Sequence, residues 1–238
     1  MTVDILNHKI PCKLEKSSGK SISLRFSTET PCLLIRTPSG TMTDQARAFI
    51  EKKGKWILRN FQKLNSQFNQ KEIFLKDLEN DRVLFRGNPV SVVYAEGNKR
   101  WVKMRDEKID ITITPKDRQV PKKLIAGAAL KVLAQQQLHL RTLELARATG
   151  VSCNKITIKD VRSKWGSCSG NKNINLNWYL ILLPQPLIDY VIIHELMHLR
   201  ELNHSDRFWA LVEKYCPQYK SREEQLQSMS WVIGIFNE

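Results

Sequence analysis

The sequence is poor in cysteine, and it has neither a long hydrophobic run nor an apolar segment behind a basic N-terminus. Its five cysteines are odd in number and never form a CxxC pair, which favours reduced thiols over a disulfide framework. The longest apolar run, near residues 178–184, is far shorter than the roughly 20 residues that a membrane span needs. Without a signal peptide or a span, the sequence predicts a cytoplasmic protein with no membrane partner.

Other absences narrow the class of function. The sequence has no P-loop of the kind that binds nucleoside triphosphates, and it shows no internal repeat or low-complexity tract. Its 238 residues are 42% apolar and 26% charged, as in a globular protein. A chain of this length can bury a sizeable core without disulfides.

Acidic residues are scarce beside basic ones, 24 against 38, which gives a net charge of +14. The excess lies in the first 150 residues, which hold 28 basic and 15 acidic side chains, whereas residues 151–238 hold 10 and 9. A phosphate-bearing or sulfated partner, nucleic acid or nucleotide included, would meet that basic N-terminal surface. The alternative is that lysines at turns and on solvated helix faces simply keep the protein soluble.

The hydrophobic pattern predicts an α+β fold. Alternating apolar positions in the first 40 residues predict an antiparallel meander of strands. Thr43 is expected to cap a helix whose buried stripe runs to Leu64, and strands should return from residue 73 to residue 113. Pro121 and Gly150 are placed to bound a long helix. We therefore expect a strand-rich basic N-terminal subdomain over residues 1–116 and a second subdomain over 117–238.

Three of the five histidines fall within residues 191–209. On a helix, His194 and His198 are four residues apart and share a face, so both rings can aim at one metal ion. Glu195 is rotated away from that face yet can reach a water at the metal, as a general base must. This HExxH pattern predicts a catalytic zinc site in a zincin-like second subdomain. The opposing interpretation is a chance HExxH on a buried helix.

A catalytic zinc site usually takes three protein ligands, and His204 is the expected third. A helix that ends near Leu202 and a turn at Asn203, in a left-handed conformation, would bring His204 back beneath the helix. Ser205 would then cap the next helix. The alternative third ligands are the downstream carboxylates Glu213, Glu223 and Glu224. We expect one Zn²⁺ per chain, although three imidazoles also accept other first-row ions.

The loop of residues 162–169 leads through a strand to the helix that carries His194 and His198, so it should lie near the predicted zinc site. Beside HExxH helices, an edge strand pairs with the substrate backbone, and Gly166 permits the close approach of another backbone. Trp165 is either a wall of the cleft or part of the core. Cys168 is a fourth ligand, a substrate contact or, as we prefer, a small buried hydrophobe. Tyr179, Tyr190 and Arg207 are candidates to stabilise an oxyanion. The predicted substrate-binding residues are Trp165, Gly166, Ser167, Tyr190 and Arg207.

The motifs of residues 150–220 resemble those of the YgjP-like, or WLM-like, zinc metallopeptidases. They are Lys164-Trp165-Gly166-Ser167-Cys168, His194-Glu195-Leu196-Met197-His198 and Asn203-His204-Ser205. The resemblance implies zinc bound by the three histidines, a catalytic Glu195 and a peptide or protein substrate. It also suggests a distant relation to the SprT-like, DNA-associated proteases. Glu201 stands where secreted metzincins carry glycine, so their turn geometry is not expected here.

The leading functional hypothesis is a zinc metallopeptidase in which Glu195 acts as general base. A second hypothesis keeps the metal but makes the enzyme a nucleoside triphosphate pyrophosphohydrolase. A cleft lined by Arg162, Lys164, Arg200 or Arg207 would favour it. The third is a DNA-associated, SprT-like protease that docks through its basic N-terminal part.

Overall fold

The computed structural model describes residues 1–27 and 30–237. They fold into two compact units, Met1–Ile73 and Phe74–Glu238. The fold combines helices with several small sheets, so the predicted α+β class is correct at that level. Within the described residues, no helix combines the length and apolar character needed to cross a membrane. All five cysteines are free thiols.

The first unit contains a four-stranded sheet and two helices. Its elements are β1 (Thr2–Ile5), β2 (His8–Lys16), β3 (Ser23–Phe26), β4 (Leu33–Thr37), α1 (Asp44–Lys52) and α2 (Gly54–Glu79), which ends in the second unit. The strand order is β1-β2-β4-β3, and β2 runs parallel to β4. The predicted antiparallel meander is therefore wrong. Alternation along a strand identifies its buried face but not its neighbour.

The helical segment of this unit begins as predicted but extends further. The Thr43 side chain accepts a hydrogen bond from the Ala46 amide at 3.1 Å, which confirms the N-cap. However, α2 continues to Glu79, so the strands predicted from residue 73 begin only at Arg82. Phe74 explains the difference, because this buried ring on α2 packs edge-on against two other aromatic rings.

The second unit contains two sheets and most of the helices. Its strands are β5 (Arg82–Phe85), β6 (Asn88–Glu96), β7 (Trp101–Arg105), β8 (Lys108–Ile113), β9 (Lys155–Lys159), β10 (Gly166–Cys168) and β11 (Asn173–Asn177). Its helices are α3 (Lys122–Thr149), α4 (Gln185–Met197), α5 (Asp206–Tyr215) and α6 (Tyr219–Ser228), with 3-10 turns at Pro115–Asp117, Trp178–Leu182, Ser230–Val232 and Ile235–Asn237. The sheet orders are β5-β6-β8-β7 and β10-β11-β9.

The two four-stranded sheets have the same topology. In each, a first hairpin is followed by two more strands, and the second and fourth strands pair in parallel at the centre. In each, a helical segment follows the fourth strand. The chain therefore contains a structural repeat that the sequence analysis did not detect. Pairing between distant strands leaves no fixed period in the sequence.

The predicted subdomain boundary at residue 116 does not match the division after Ile73. The β5–β8 sheet shares one hydrophobic core with α3 and α4. At the turn between β5 and β6, the Arg86 and Gly87 amides donate to the Ile181 and Leu182 carbonyls at 2.7 and 3.1 Å. Gly87 has φ +82°, and a Cβ there would lie 2.7 Å from the Pro184 ring. This sheet therefore packs directly against the segment that enters α4.

Helix α3 has the predicted ends and positions α4. Pro121 is its N-cap, and Gly150, with φ 65°, is its left-handed C-cap. From the middle of α3, the Arg141 guanidinium donates two hydrogen bonds, each 2.8 Å long, to the Asp189 carboxylate on α4. This bidentate pair holds the helix that carries the histidines against α3.

Replacing Arg141 with alanine should lower the free energy of unfolding of the second unit by about 1–2 kcal/mol, because the partly buried Asp189 loses both charged hydrogen bonds. The control is Arg118→Ala, which removes an equally bidentate pair with Glu96 that is solvent-exposed. Chemical denaturation should show a lower midpoint for Arg141→Ala and an unchanged one for Arg118→Ala. Equal midpoints for the two variants would contradict this role of the Arg141 pair.

Candidate metal centre

Helix α4 is buried along most of its length, and apart from Gln185, Asp189 and Tyr190 its polar side chains lie at its C-terminal end. His194 and the buried Glu195 occupy its last turn, and His198 is the C-cap residue. An apolar helix of this kind belongs in the protein core. The core therefore holds the last turn rigidly, and the polar side chains on it have few conformations available.

The chain turns sharply after Met197, five residues before the predicted helix end at Leu202. The Arg200 and Glu201 amides both donate to the Met197 carbonyl at 3.0 Å. Asn203 is not among the described residues with positive φ, so the predicted left-handed turn there is wrong. A straight helix would place residue 204 roughly 15 Å beyond residue 194. The early turn instead brings the Nε2 atoms of His204 and His194 to 3.1 Å.

The three histidine rings converge on one point. Ligand nitrogens of His194, His198 and His204 all lie within 4.8 Å of one another. Among the described residues, this group includes none of the alternative third ligands Glu213, Glu223 and Glu224, and it does not include Cys168. A tetrahedral zinc with Zn–N bonds of about 2.0–2.1 Å places its nitrogens roughly 3.3 Å apart. The spacing of the three rings therefore fits a zinc ion.

Hydrogen bonding and packing orient these rings. His198 Nδ1 lies 3.1 Å from the Glu201 carbonyl, which makes Nδ1 the donor and leaves the Nε2 lone pair available for a metal. Phe208 stacks on His198 at 4.4 Å and meets His194 and His204 edge-on at 4.9 and 4.8 Å. This buried ring forms an apolar floor beneath all three imidazoles.

Phe208 was not predicted to have a role from the sequence, although the sequence carried a signal. Phe208 and Val212 are four residues apart on α5 and are its two buried residues. The Ser205 side chain accepts from the Phe208 amide at 3.4 Å, which confirms the predicted cap of α5. The cap and the buried face together place Phe208 one turn into α5 and against the histidines.

Burial keeps two of the imidazoles neutral. The pKa of His194 is lowered to about 4, mainly by burial and also by the neighbouring His198 and His204. Burial also lowers the pKa of His198, although its contact with the Glu201 carbonyl opposes the change. Because only a neutral imidazole offers a lone pair, both rings are ready to bind a metal at neutral pH.

Glu195 is 7% exposed and lies beside the histidines rather than among them. Burial raises the pKa of its carboxyl to about 7, and the positive charge of Lys164 opposes that increase. Such a carboxyl can both accept and donate a proton near neutral pH. Gly166 covers it so closely that a Cβ there would lie 2.7 Å from both Cγ and Oε1 of Glu195.

The strand that carries Gly166 lies at an edge. Strand β10 pairs with β11 on one side, while the sheet order leaves its other side without a partner among the described strands. On β10, the Ser167 hydroxyl accepts from the Asn175 amide group at 3.3 Å. Gly166 therefore permits a close approach of the Glu195 side chain, whereas the sequence analysis expected it to admit another backbone.

Asn177 anchors the loop that leads into β10, and the sequence analysis gave it no such role. Its side-chain nitrogen donates to the carbonyls of Val161 and Lys164 at 2.6 and 3.0 Å. Its backbone amide donates to the Trp165 carbonyl at 2.8 Å. The residue is 1% exposed. An asparagine at the end of a strand was visible in the sequence, but its distant carbonyl partners were not.

The remaining predicted residues fall into different environments. Trp165 is half-buried and packs against the core, while Tyr190 is buried with its ring 6.0 Å from that of His194. Tyr179 is fully buried and stacks on Trp178 at 4.0 Å, so it belongs to the core. Arg207 is exposed in the first turn of α5.

Cys168 is half-buried at the end of β10 and packs against the core. Its thiol lies 3.6 Å from the Ser169 carbonyl, and burial raises its pKa. A thiol in this state is a poor metal ligand, because metals bind the thiolate.

On the prediction that Glu195 is the general base of a zinc peptidase, replacing Gly166 with alanine should lower kcat about 100-fold without loss of metal, because the added methyl group displaces the Glu195 carboxyl. Gly170→Ala is the matched control, since a Cβ there meets nothing within 4 Å. Steady-state kinetics and metal content should be measured on both variants. Unchanged kcat in Gly166→Ala would show that the position of Glu195 does not matter for the reaction.

Comparison with known families agrees with the chemistry of this centre. A model of the YgjP-like family, metallopeptidase domain, matches residues 20–229. The chain belongs to this family. The YgjP-like protein is therefore a metallopeptidase, a class of hydrolase that acts on peptide or protein substrates and requires a metal, typically zinc.

Two solved structures are similar to part of this YgjP-like chain. One is the metallopeptidase zymogen of abylysin from Pyrococcus abyssi, with 24% identity over 38% of this chain and 92% of its own, and a TM-score of 0.36. The other is the metallopeptidase zymogen of jannalysin from Methanocaldococcus jannaschii, with 26% identity over 38% of this chain and 96% of its own, and a TM-score of 0.33. No curated protein matches the sequence.

Proposed function

We propose that this protein cleaves peptide bonds with one zinc ion held by His194, His198 and His204, and with Glu195 as its general base. The observation that carries the proposal is the convergence of three imidazoles beside a single buried carboxylate. Zinc bound there supplies Lewis-acid chemistry, which makes water acidic enough to deprotonate near neutral pH and polarises the substrate carbonyl.

The protein's own groups then move one proton. A carboxylate oxygen of Glu195 takes it from the attacking water and returns it to the nitrogen of the leaving amine. Lys164 lies close enough to influence the Glu195 charge, and it favours the ionised form that the first transfer needs. Gly166 limits the space open to the carboxyl, so the proton acceptor stays in one position.

The open edge of β10 is suited to align the substrate. An extended peptide that adds to this edge would receive backbone hydrogen bonds from Gly166–Cys168, beside the carboxylate. Backbone hydrogen bonds to a strand edge do not discriminate between side chains, but they require an extended chain. The preferred substrate is therefore an extended or unfolded segment of protein. Ser167, Trp165, Tyr190 and Arg207 remain the predicted side-chain contributors to substrate binding.

The nucleoside triphosphate alternative has less support. It calls for cationic side chains around the metal, and Arg200 is already engaged elsewhere. Its guanidinium donates to the Thr149 and Gly150 carbonyls at 2.8 and 3.2 Å, at the C-terminus of α3. Lys164 does lie near Glu195, so the nucleotide reaction keeps one of its four expected cations but has lost Arg200.

Peptide cleavage and nucleotide hydrolysis are distinguished by incubating the zinc-loaded enzyme with an unfolded protein and, separately, with nucleoside triphosphates. We expect new N-termini from the protein and no pyrophosphate from the nucleotides. Both activities should be compared with those of Glu195→Gln, which identifies any contaminating hydrolase. Pyrophosphate release that depends on Glu195, without proteolysis, would overturn the proposal in favour of the nucleotide reaction.

A further inference from the structure

A row of cationic side chains lies on the helices of the first unit. Lys52 is the last residue of α1, and Lys55 and Arg59 follow in α2. Lys55 and Arg59 are four positions apart, which places them on one face of α2, and Lys52 lies on α1, separated from α2 by Lys53. All three are exposed, and none forms an ion pair within the described parts of the chain. We call them, together with Trp56, the Trp56 patch.

The charge of the patch is not balanced locally. Residues 51–59 include four basic side chains and one acidic side chain, Glu51. Lysine and arginine without partners on one helix face produce a positive potential that attracts polyanions. This segment is one source of the basic excess in the first 150 residues.

Trp56 lies among these cations and is 45% exposed. One edge of its ring rests on Phe26, with ring centroids 6.0 Å apart and planes inclined by 42°. Phe26 thus holds the indole in place while almost half of the side chain faces solvent. A fixed and exposed aromatic ring offers a surface on which another flat ring can stack.

We propose that the Trp56 patch binds single-stranded nucleic acid. A base stacks on the Trp56 indole, and the flanking phosphates contact Lys52, Lys55 and Arg59. Lys55 and Arg59 are roughly 6 Å apart along the axis of α2, which matches about two nucleotides of a strand. The tryptophan decides the class of partner, because an acidic peptide would satisfy the cations but leave the indole uncovered. The bases of a duplex are already stacked on one another.

The chain contains a second exposed tryptophan among basic residues, and it serves as the control. Trp101 is 46% exposed and is preceded by Lys99 and Arg100. However, Arg100 donates from Nε to the Asp117 carboxylate at 2.9 Å, which neutralises it. Trp101 itself lines an apolar cavity of about 310 Å³ on the edge strand β7. This site has the same residue types as the Trp56 patch but lacks its unpaired arginine.

The test is fluorescence anisotropy of labelled oligothymidine with the full-length, zinc-loaded protein over a range of salt concentrations. We expect binding that weakens with salt. Changing Lys52, Lys55 and Arg59 together to glutamine should reduce the slope of log K against log salt by about 2. Trp56→Ala should weaken binding about tenfold, while Trp56→Phe keeps a stacking ring and should bind nearly as well as the wild type. Trp101→Ala should leave binding unchanged.

The same preparations are assayed for peptide cleavage, which should remain at the wild-type rate in every variant. Loss of cleavage therefore reports on the metal centre, and loss of anisotropy reports on the Trp56 patch. No binding at low salt would overturn the proposal. So would binding that tolerates Trp56→Ala and is displaced equally by polyglutamate, since this would identify an acidic protein as the partner. Tighter binding to duplex than to single strand would also contradict it.

Discussion

Replacing Glu195 with glutamine should lower kcat for peptide cleavage by about 10³-fold, while the protein keeps its metal. Glutamine has nearly the same size and shape as glutamate, but its amide cannot accept the proton of the attacking water. Glu195 lies outside the group of converging histidines, so this substitution leaves the ligands in place. Metal content and steady-state kinetics on the same preparation separate the two effects.

Glu201→Gln is the matched control for this experiment. Glu201 is also close to the converging histidines in the sequence. However, only its backbone carbonyl contacts one of them, namely His198. It should therefore keep full activity. If Glu195→Gln retained activity, the general base would be another group. If it lost metal as well, Glu195 would be needed to build the site rather than to transfer a proton.

The second large effect is expected at His204. Replacing it with alanine leaves two imidazoles, and affinity for zinc should fall more than about 100-fold, with activity falling in proportion. His139→Ala is the control, because that histidine is exposed on α3 and outside the metal group. Zinc affinity is measured by competition with a chromogenic chelator.

The alternative third ligands make this experiment decisive. Glu213, Glu223 and Glu224 are all exposed, and glutamine at each should leave zinc affinity unchanged. The assignment of His204 would be wrong if His204→Ala kept its zinc and one of these glutamine variants lost it.

Local signals in the sequence predicted local structure well. The side chains of Thr43 and Ser205 cap helix N-termini, as their residue types favour. Gly150, which has no side chain, is the left-handed C-cap of α3. The spacing of His194, Glu195 and His198 likewise depends only on helix geometry. These features could be predicted because each involves residues within about one helical turn.

Features that depend on distant partners could not be predicted. The parallel pairing of β2 with β4 and of β6 with β8 follows from three-dimensional packing, which alternation does not encode. The sequence predicted that the helix carrying the histidines ends near Leu202, yet it ends at Met197 and Leu202 is 65% exposed. The turn that follows lets His204 meet His194. The role of Asn177 was hidden for the same reason.

We propose that one zinc ion, held by three histidines, and Glu195 carry out peptide hydrolysis. The most direct test is to remove all metal and add zinc back in steps while cleavage of an unfolded protein is followed. We expect activity to rise linearly and to stop at one equivalent of zinc per chain. Glu195→Gln should bind the same single equivalent and remain inactive. Cleavage by the metal-free protein, or activity that first appears beyond one equivalent of zinc, would contradict this single-zinc mechanism.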